Sequence, residues 1–401
     1  MTRKNEIFNT LYVDQALSRP DLGPRILFFS GGSALKEISQ ALIHYTHHSV
    51  HLVTPFDSGG SSAALRNYFA MPAVGDLRSR LMALADRTQP GVAELYDLLA
   101  YRLPVHTQPA ERYAELCALA RGTHALMLRI ARPERVQVCR LVQGFAQAIG
   151  RDFDLRGASV GNMILTAGYL ERQRIFGPVV SMFSSLVHVR GAVELVVNCD
   201  LHLRAVLCNN EEVIGQHCIT GKERAPLTVP IRDMHLIHLA QPRVPVWPHI
   251  DQSIAYTISN ADLICYPVGS LYSSVLANIL PVGVAQAISS ATCPKVFIPN
   301  PIPDPESIGL SLLDQARVLL RYLRIHGLKN MPVSDVLHYV LLDDRVMYPG
   351  VYDLKKELAG LGIQVIVTSL VDTASGKLDP EALCRVLVSL SGHGSCPSGF
   401  F

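Results

Sequence analysis

The stretch Arg25-Ile-Leu-Phe-Phe29-Ser30-Gly31-Gly32-Ser33, followed by Leu35, Ile38, Leu42 and Ile43, decides how the chain is read. Arg25 to Phe29 is a short apolar run of strand type, the small residues make a tight turn, and the later apolar residues recur at helical spacing. The pattern is strand, turn, helix. It repeats at once: His51-Leu-Val-Thr-Pro55 reads as a second strand, Phe56-Asp57-Ser58-Gly59-Gly60-Ser61-Ser62 as a second glycine corner, and Ala63 to Phe69 as another helix. Two such corners place main-chain N–H groups on the same C-terminal edge of one sheet. A helix start supplies unpaired donors and partial positive charge, and glycine lets an anion approach the main chain. Phosphate is the expected guest. Turn geometry and N-capping are the plain alternative for either corner alone.

The alternation continues outward. Gly75-Asp76-Leu77-Arg78-Ser79 precedes helical spacing, and the pattern stays helical from about 85 to 150, which predicts a helical insertion. Gly161-Asn162 opens a further helix. Between about 187 and 219 short β runs predict a small antiparallel excursion, followed by proline-rich loops from Pro226 to Pro248. Leu263-Ile-Cys-Tyr266 then reads as a strand, Val268-Gly269-Ser270 as a third small-residue corner, Lys295 to Pro299 and Gln364 to Thr368 as strands, and Pro380 to Leu390 as a closing helix. The expected fold is α/β: a Rossmann-like, doubly wound, mainly parallel sheet, with ligands at the carboxyl ends of its strands. Residues 25–390 are expected to form one domain, between an extension over 1–24 and a loose tail over 391–401.

Composition removes several functions. Net charge is +2 in 401 residues, and no Lys/Arg run exceeds two, so no nucleic-acid partner is expected. Nine cysteines without a C-x-x-C pair suggest neither a zinc ribbon nor a disulfide framework, and point to a reduced, cytoplasmic protein. The N-terminus lacks the apolar core of a secretory signal. Leu263 to Pro294 carries no charged residue, but Pro267, Gly269, Pro281 and Gly283 punctuate it, so a buried strand and helix are expected rather than a membrane span. His44, His47, His48 and His51 lack the glutamate of a zinc-protease helix, and zinc is not expected. No G-x-G-x-x-G follows the first strand, so NAD is not expected; haem is not expected either.

Three blocks taken together resemble the 2-phospho-L-lactate transferase (CofD) family and the related gluconeogenesis factor (YvcK) proteins. They are Ser30-Gly31-Gly32-Ser33; Asp57-Ser58-Gly59-Gly60-Ser61-Ser62 with Gly75-Asp76-Leu77-Arg78; and Gly269-Ser270-Leu271-Tyr272-Ser273-Ser274. Gly161-Asn162, Asn260-Ala261-Asp262-Leu263 and Asp379-Pro380-Glu381 resemble the gluconeogenesis-factor branch. The resemblance implies a nucleoside-diphosphate ligand carrying a further group: a GDP-linked phospholactate transferred to a deazaflavin hydroxyl with magnesium in one branch, a UDP-sugar with a regulatory role in the other. The chain departs from the usual pattern at Ser33-Ala34, where Thr-Gly is common, and at Pro267-Val268-Gly269, where Gly-Pro-Gly is common.

Asp57 ends a strand ahead of a phosphate-type corner, and is the leading candidate to hold Mg²⁺ against a diphosphate. An N-cap or a ribose-binding acid are the alternatives, the latter normally about 20 residues beyond the first glycines. Asp76 is either a second metal and catalytic carboxylate or a helix cap. Arg78 would face a phosphate oxygen. Asn162 either reads a base or ribose edge or caps a helix, and Ser270, Ser273 and the Gly269 N–H would reach the second part of the ligand. The leading expectation is a Mg²⁺-assisted transferase of a phosphoester group from a nucleotide-linked donor; a non-enzymatic UDP-sugar sensor is the alternative. The guest is GDP- or UDP-type, and a homodimer is compatible with the chain.

Overall fold

In the computed structural model, residues 9–221, 225–326, 330–348 and 350–392 are described. Eleven strands occur among them: β1 (Ile26–Ser30), β2 (Val50–Val53), β3 (Ala192–Leu195), β4 (His202–Leu207), β5 (Glu212–Ile214), β6 (Ile231–Ile237), β7 (Pro245–Val246), β8 (Leu263–Tyr266), β9 (Lys295–Phe297), β10 (Tyr339–Asp343) and β11 (Gln364–Thr368). Seven form a parallel sheet in the order β11-β10-β9-β8-β1-β2-β3. β1 is central and wholly buried. Leu27 and Phe29 join the core on one face, Ile26 and Phe28 the core on the other, so the strand reads as a continuous apolar run. The chain winds outward from β1 through β2 and β3 in one direction, and from β8 to β11 in the other. That reversal is the switch point at which such sheets open a crevice.

The helical insertion lies between β2 and β3 and extends beyond the expected 150. Helices Val92–Ala100, Pro109–Arg121, Arg132–Ala148, Val160–Glu171 and Phe176–Leu186 enclose their own core, with Leu98, Leu119, Phe145, Ile164 and Phe183 buried in it. The β excursion is also displaced. Val193 and its neighbours belong to β3, the edge strand of the main sheet, while the antiparallel sheet runs β5-β4-β6-β7 across residues 202–246. Its longest strand, β6, falls where the sequence was expected to be proline-rich loop. Prolines bound that strand without entering it, and its buried positions, Ile231, Met234, Leu236 and Ile237, do not alternate cleanly. Leu263 to Pro294 is split among β8, a π-helical segment Leu271–Leu276, its continuation Ala277–Ile279, and helix Val284–Ser290. Among the described residues no helix is long and apolar enough to cross a membrane. Helix Thr10–Ser18, expected as part of an extension, packs on the last helix, Pro380–Ser391, and Asn9 N–H donates to Ser389 Oγ at 2.7 Å. The expected loose tail lies outside the described residues from 393 onward.

Two buried arginines fix the corners that follow β1 and β2. Arg80, on helix Gly75–Ala83, is fully buried. It donates to the carbonyls of Gly31 (2.8 Å) and Leu35 (2.9 Å) and to Ser39 Oγ (2.5 Å). Burial lowers its pKa to about 10, against the favourable charge of Asp76, so it stays cationic at neutral pH. Arg66, on helix Gly60–Phe69, donates to the Asp57 carbonyl (2.9 Å), the Leu201 carbonyl (2.6 Å) and Asp200 Oδ1 (2.6 Å). The helix after each corner thus supplies or meets a guanidinium that holds the turn's carbonyls inward. Replacing Arg80 strands buried carbonyls and removes a charge-assisted network. Arg80→Met is expected to lower unfolding free energy by about 3 kcal/mol in urea titration, with no change of secondary structure.

Candidate functional site

At the carboxyl ends of β1, β2 and β8 the three corners open into one cleft of about 500 Å³. It is lined by Gly31, Gly32 and Ser33 of the first corner, by Asp57, Gly59, Gly60, Ser61 and Ser62 of the second, by Asp76, Arg78 and Asn162, and by Gly269 and Ser270 of the third. Three other candidates point elsewhere. Ser30 is buried, with its carbonyl accepting from Asn278 Nδ2 at 3.1 Å. Ser58 lies 2.7 Å from His217 Nδ1. Ser273 is buried against Glu306, donating its hydroxyl to Oε1 at 2.5 Å and its N–H to Oε2 at 2.8 Å.

The acidic wall is built by close approach to glycine. Asp57 Oδ1 accepts the Gly59 N–H at 3.0 Å, closing the turn, so Asp57 is not the N-cap; Gly59 is. A Cβ on Gly75 would stand 2.8 Å from Asp57 Oδ2 and 2.5 Å from Ser62 Oγ, and one on Gly32 would stand 2.3 Å from Asp76 Oδ1. Both carboxylates therefore gather about the Gly75-Asp76 peptide beside the first corner. Asp76 lies inside the first turn of its helix, whose N-cap is Val74, so it is not a cap either. Two carboxylates in a cleft with room for phosphate oxygens is a donor set of the kind magnesium uses, needing no all-protein cage.

The opposite wall suits an anion. Helix Gly60–Phe69 starts at Gly59 without a side-chain cap, and Gly60, Ser61 and Ser62 line the cleft. Beside them stand Arg78 and Arg102. Arg78 donates to Ser159 Oγ, while its Nε is buried with no hydrogen-bond partner among the described residues. Burial, and then the Arg102 charge, lowers the Arg78 pKa to about 10. Arg102 reaches Ser61 Oγ at 3.2 Å and the Gly157 carbonyl at 2.9 Å, and Asn162 Nδ2 donates to Ser61 Oγ at 3.0 Å. Two neighbouring cations that repel each other are relieved by a negative guest.

The third corner behaves differently from the expectation. The Gly269 N–H is taken by Asn300 Oδ1 (2.8 Å), Leu271 N–H by Asp304 Oδ2 (3.1 Å) and Ser273 N–H by Glu306. Side chains from the loop after β9 thus occupy donors that a phosphate would need, so this corner frames the cleft rather than cradling an anion. The small sheet has a role in the site as well. It delivers the segment Gln216–Ile219, so that Gln216, His217 and Thr220 line the cleft. Gly215, at φ +94°, allows this approach, since a Cβ there would meet His217 Cε1 at 2.9 Å and Ser58 Oγ at 3.0 Å.

Arg102, Gln216, His217, Asn300 and Asp304 line the cleft and were missed from sequence, and Ser274, part of the third block but given no role, lines it too. The only available signal was position: Asn300 and Asp304 follow a strand of the parallel sheet, where ligand residues gather. Other motif residues prove structural. Asp262 Oδ2 accepts the Arg25 N–H at 2.7 Å at the start of β1, and Asp379 caps the last helix while Glu381 accepts the Tyr45 hydroxyl proton at 2.6 Å. Asp343, at the end of β10, is buried. Burial works against its charge, but four N–H groups, of Leu370, Arg345, Val371 and Val346, hold its pKa below the ordinary value. His51, from the histidine run, is buried in β2 and stacked on Phe28 at 4.8 Å.

Two outcomes are expected. A Cβ on Gly161 would stand 2.7 Å from the Leu99 carbonyl oxygen and 2.7 Å from Arg78 Cδ; Gly161→Ala should lower stability by roughly 1–3 kcal/mol in thermal melts and weaken pyrophosphate binding by displacing Arg78. Glu306 is pushed up to about 7 from 4.5, first by burial and then by Asp304. Because its folded pKa exceeds the unfolded one, the folded chain keeps a proton that the unfolded chain releases, and stability falls as pH rises from the lower value through the higher. Glu306→Gln should remove that slope, so its stability relative to the parent improves between about pH 5 and about pH 8 in denaturant titrations.

Known proteins share this frame. The gluconeogenesis factor of Bacillus subtilis is 26% identical over 380 residues, covering 92% of this chain and 98% of that protein. The Listeria monocytogenes gluconeogenesis factor is 23% identical, covering 88% and 90%. A Bacillus halodurans protein of the UPF0052 family, solved by crystallography, has the same fold, with a TM-score of 0.65 at 21% identity over 92% of this chain and 99% of that one. A family match running over residues 26–371, from β1 to just beyond β11, places the chain in the family described as 2-phospho-L-lactate transferase CofD.

Proposed function

We propose that the cleft binds a nucleoside-diphosphate-linked small molecule and that the protein transfers a phosphoester group from it to an acceptor hydroxyl, assisted by Mg²⁺ between Asp57 and Asp76. The observation that carries this reading is the meeting of two carboxylates with an uncapped helix start and the Arg78–Arg102 pair around one cavity. Magnesium would neutralise charge on the diphosphate oxygens. The Gly60–Ser62 amides and the two arginines would orient the diphosphate and take up charge on the transferred group. In the step, the acceptor oxygen bonds to phosphorus as the bridging P–O bond breaks, and a nucleoside monophosphate leaves with the bond's electrons. His217, which lines the cleft, would take the acceptor proton at Nε2 in place of its contact with Cys218 Sγ at 3.2 Å, while Ser58 Oγ holds Nδ1.

A second reading is a regulatory sensor that binds a UDP-sugar without turning it over. It is favoured by the correspondence with gluconeogenesis factors along almost the whole chain. Thermal shift with GDP, UDP-N-acetylglucosamine and NAD, each with and without Mg²⁺, separates the two. Magnesium-dependent stabilisation by GDP that is lost in Asp57→Asn supports the transferase; stabilisation by the UDP-sugar without metal supports the sensor. A response to NAD alone contradicts both.

A further inference from the structure

A second cavity, of about 540 Å³, lies between the small sheet and helix Leu312–Leu323 and shares no lining residue with the cleft. It exists because β7 is only two residues long and pairs with Leu236 and Ile237 alone, leaving the earlier part of β6 without a neighbouring strand on that side. Side chains take over the edge. Met234 N–H donates to Tyr322 Oη at 2.8 Å, and Arg321 Nη2 donates to the Arg232 carbonyl at 2.7 Å. The space that a longer β7 would fill stays open.

The chain leaves β7 at Trp247, the single tryptophan of the sequence, and its side chain is 42% exposed. Two imidazoles hold the indole upright: His235 at 6.0 Å and 84°, and His326 at 4.8 Å and 86°. His326 is itself placed by its Nε2, 3.0 Å from the Leu280 carbonyl oxygen. Met234, Leu280, Leu320 and Ile325 provide apolar lining. An aromatic ring fixed in orientation beside an apolar floor, yet left partly uncovered, is a preformed stacking surface.

Charge selects the other end of the guest. The cavity is bordered by Arg317, Arg321 and Arg324 against a single carboxylate, Asp233. Arg317 is committed to Glu357 at 2.6 Å. Arg321 is half exposed; its Nη2 stays on the Arg232 carbonyl, while Nη1, whose ion contact with Asp233 is long at 3.5 Å, is the donor left to meet a ligand anion.

We infer that this cavity is a second small-molecule site, taking a planar aromatic ring that carries one anionic group, with the ring against Trp247 and the anion on Arg321. The inference stands apart from the reading of the cleft. Leu280 also closes the helical segment whose N-cap Ser270 and first-turn residue Ser274 line the cleft, so an occupant would touch the far end of an element shared by both sites.

The test uses 4-(trifluoromethyl)benzoate as the probe and 4-(trifluoromethyl)benzylamine as its cationic counterpart, read by Trp247 emission and by fluorine NMR on the full chain. The benzoate should change the emission saturably, with a dissociation constant of about 1 mM or tighter, and the amine should bind about tenfold more weakly. Arg321→Gln should weaken benzoate binding about tenfold, and Trp247→Phe, followed by fluorine NMR, should weaken it while the melting temperature stays near that of the parent. Asp57→Asn should bind the benzoate like the parent. No saturable response, equal binding of the amine, or benzoate binding unchanged in both variants would overturn the proposal. So would an emission shift that follows protein concentration alone, which would assign the face to a second copy of the chain.

Discussion

Arg80 is the constraint on which the site depends. A glycine turn after a central strand has many conformations open to it, and the turn is useful only when one of them is held. The guanidinium of Arg80, buried behind the first corner, draws the carbonyls of Gly31 and Leu35 toward itself and so directs the peptide dipoles of that turn. Arg66 does the same for the second corner through the Asp57 carbonyl. Each arginine uses several donors, which offsets the cost of burying its charge. A lysine has donors for some of these partners but not the planar fork that reaches them from one position.

This arrangement also explains why the helix Gly75–Ala83 matters to the cleft although only its N-terminal half touches it. Asp76 and Arg78 line the cleft while Arg80 reaches behind the first corner, and Gly75 leaves room for Asp57. One helix thereby sets the spacing between the carboxylates and the arginine wall. The small sheet contributes from the other side, through Gly215 and the segment carrying His217, and the helical insertion contributes Arg102 and Asn162. The pieces that look like additions to a doubly wound fold are the pieces that complete its cleft.

The alternation of apolar runs with helical spacing made the parallel sheet legible, because buried parallel strands such as Ile26–Ser30 have a distinct texture. The two glycine corners were legible for the same reason: they sit between a strand and a helix. Three things were not. The edge strand β3 and the antiparallel strands that follow share a β texture, and only long-range pairing separates them. The third corner has the small residues of an anion site, yet its N–H groups are filled by Asn300, Asp304 and Glu306, which lie more than thirty positions away along the chain. Arg102 and His217 carry no local signature, since each is brought to the cleft by the packing of a separate element.

The central proposal is that a magnesium-bound diphosphate sits between the carboxylates beside the first corner and the amides of the second, and that the third corner only frames it. Hydrogen exchange of the full chain, with and without GDP and Mg²⁺, measures this directly at the main-chain amides. The account predicts slower exchange over Gly31 to Leu35 and over Gly59 to Ser62 on adding the ligand, with little change at Gly269 to Ser273. Slowing confined to the third corner, or to only one of the first two, would contradict it.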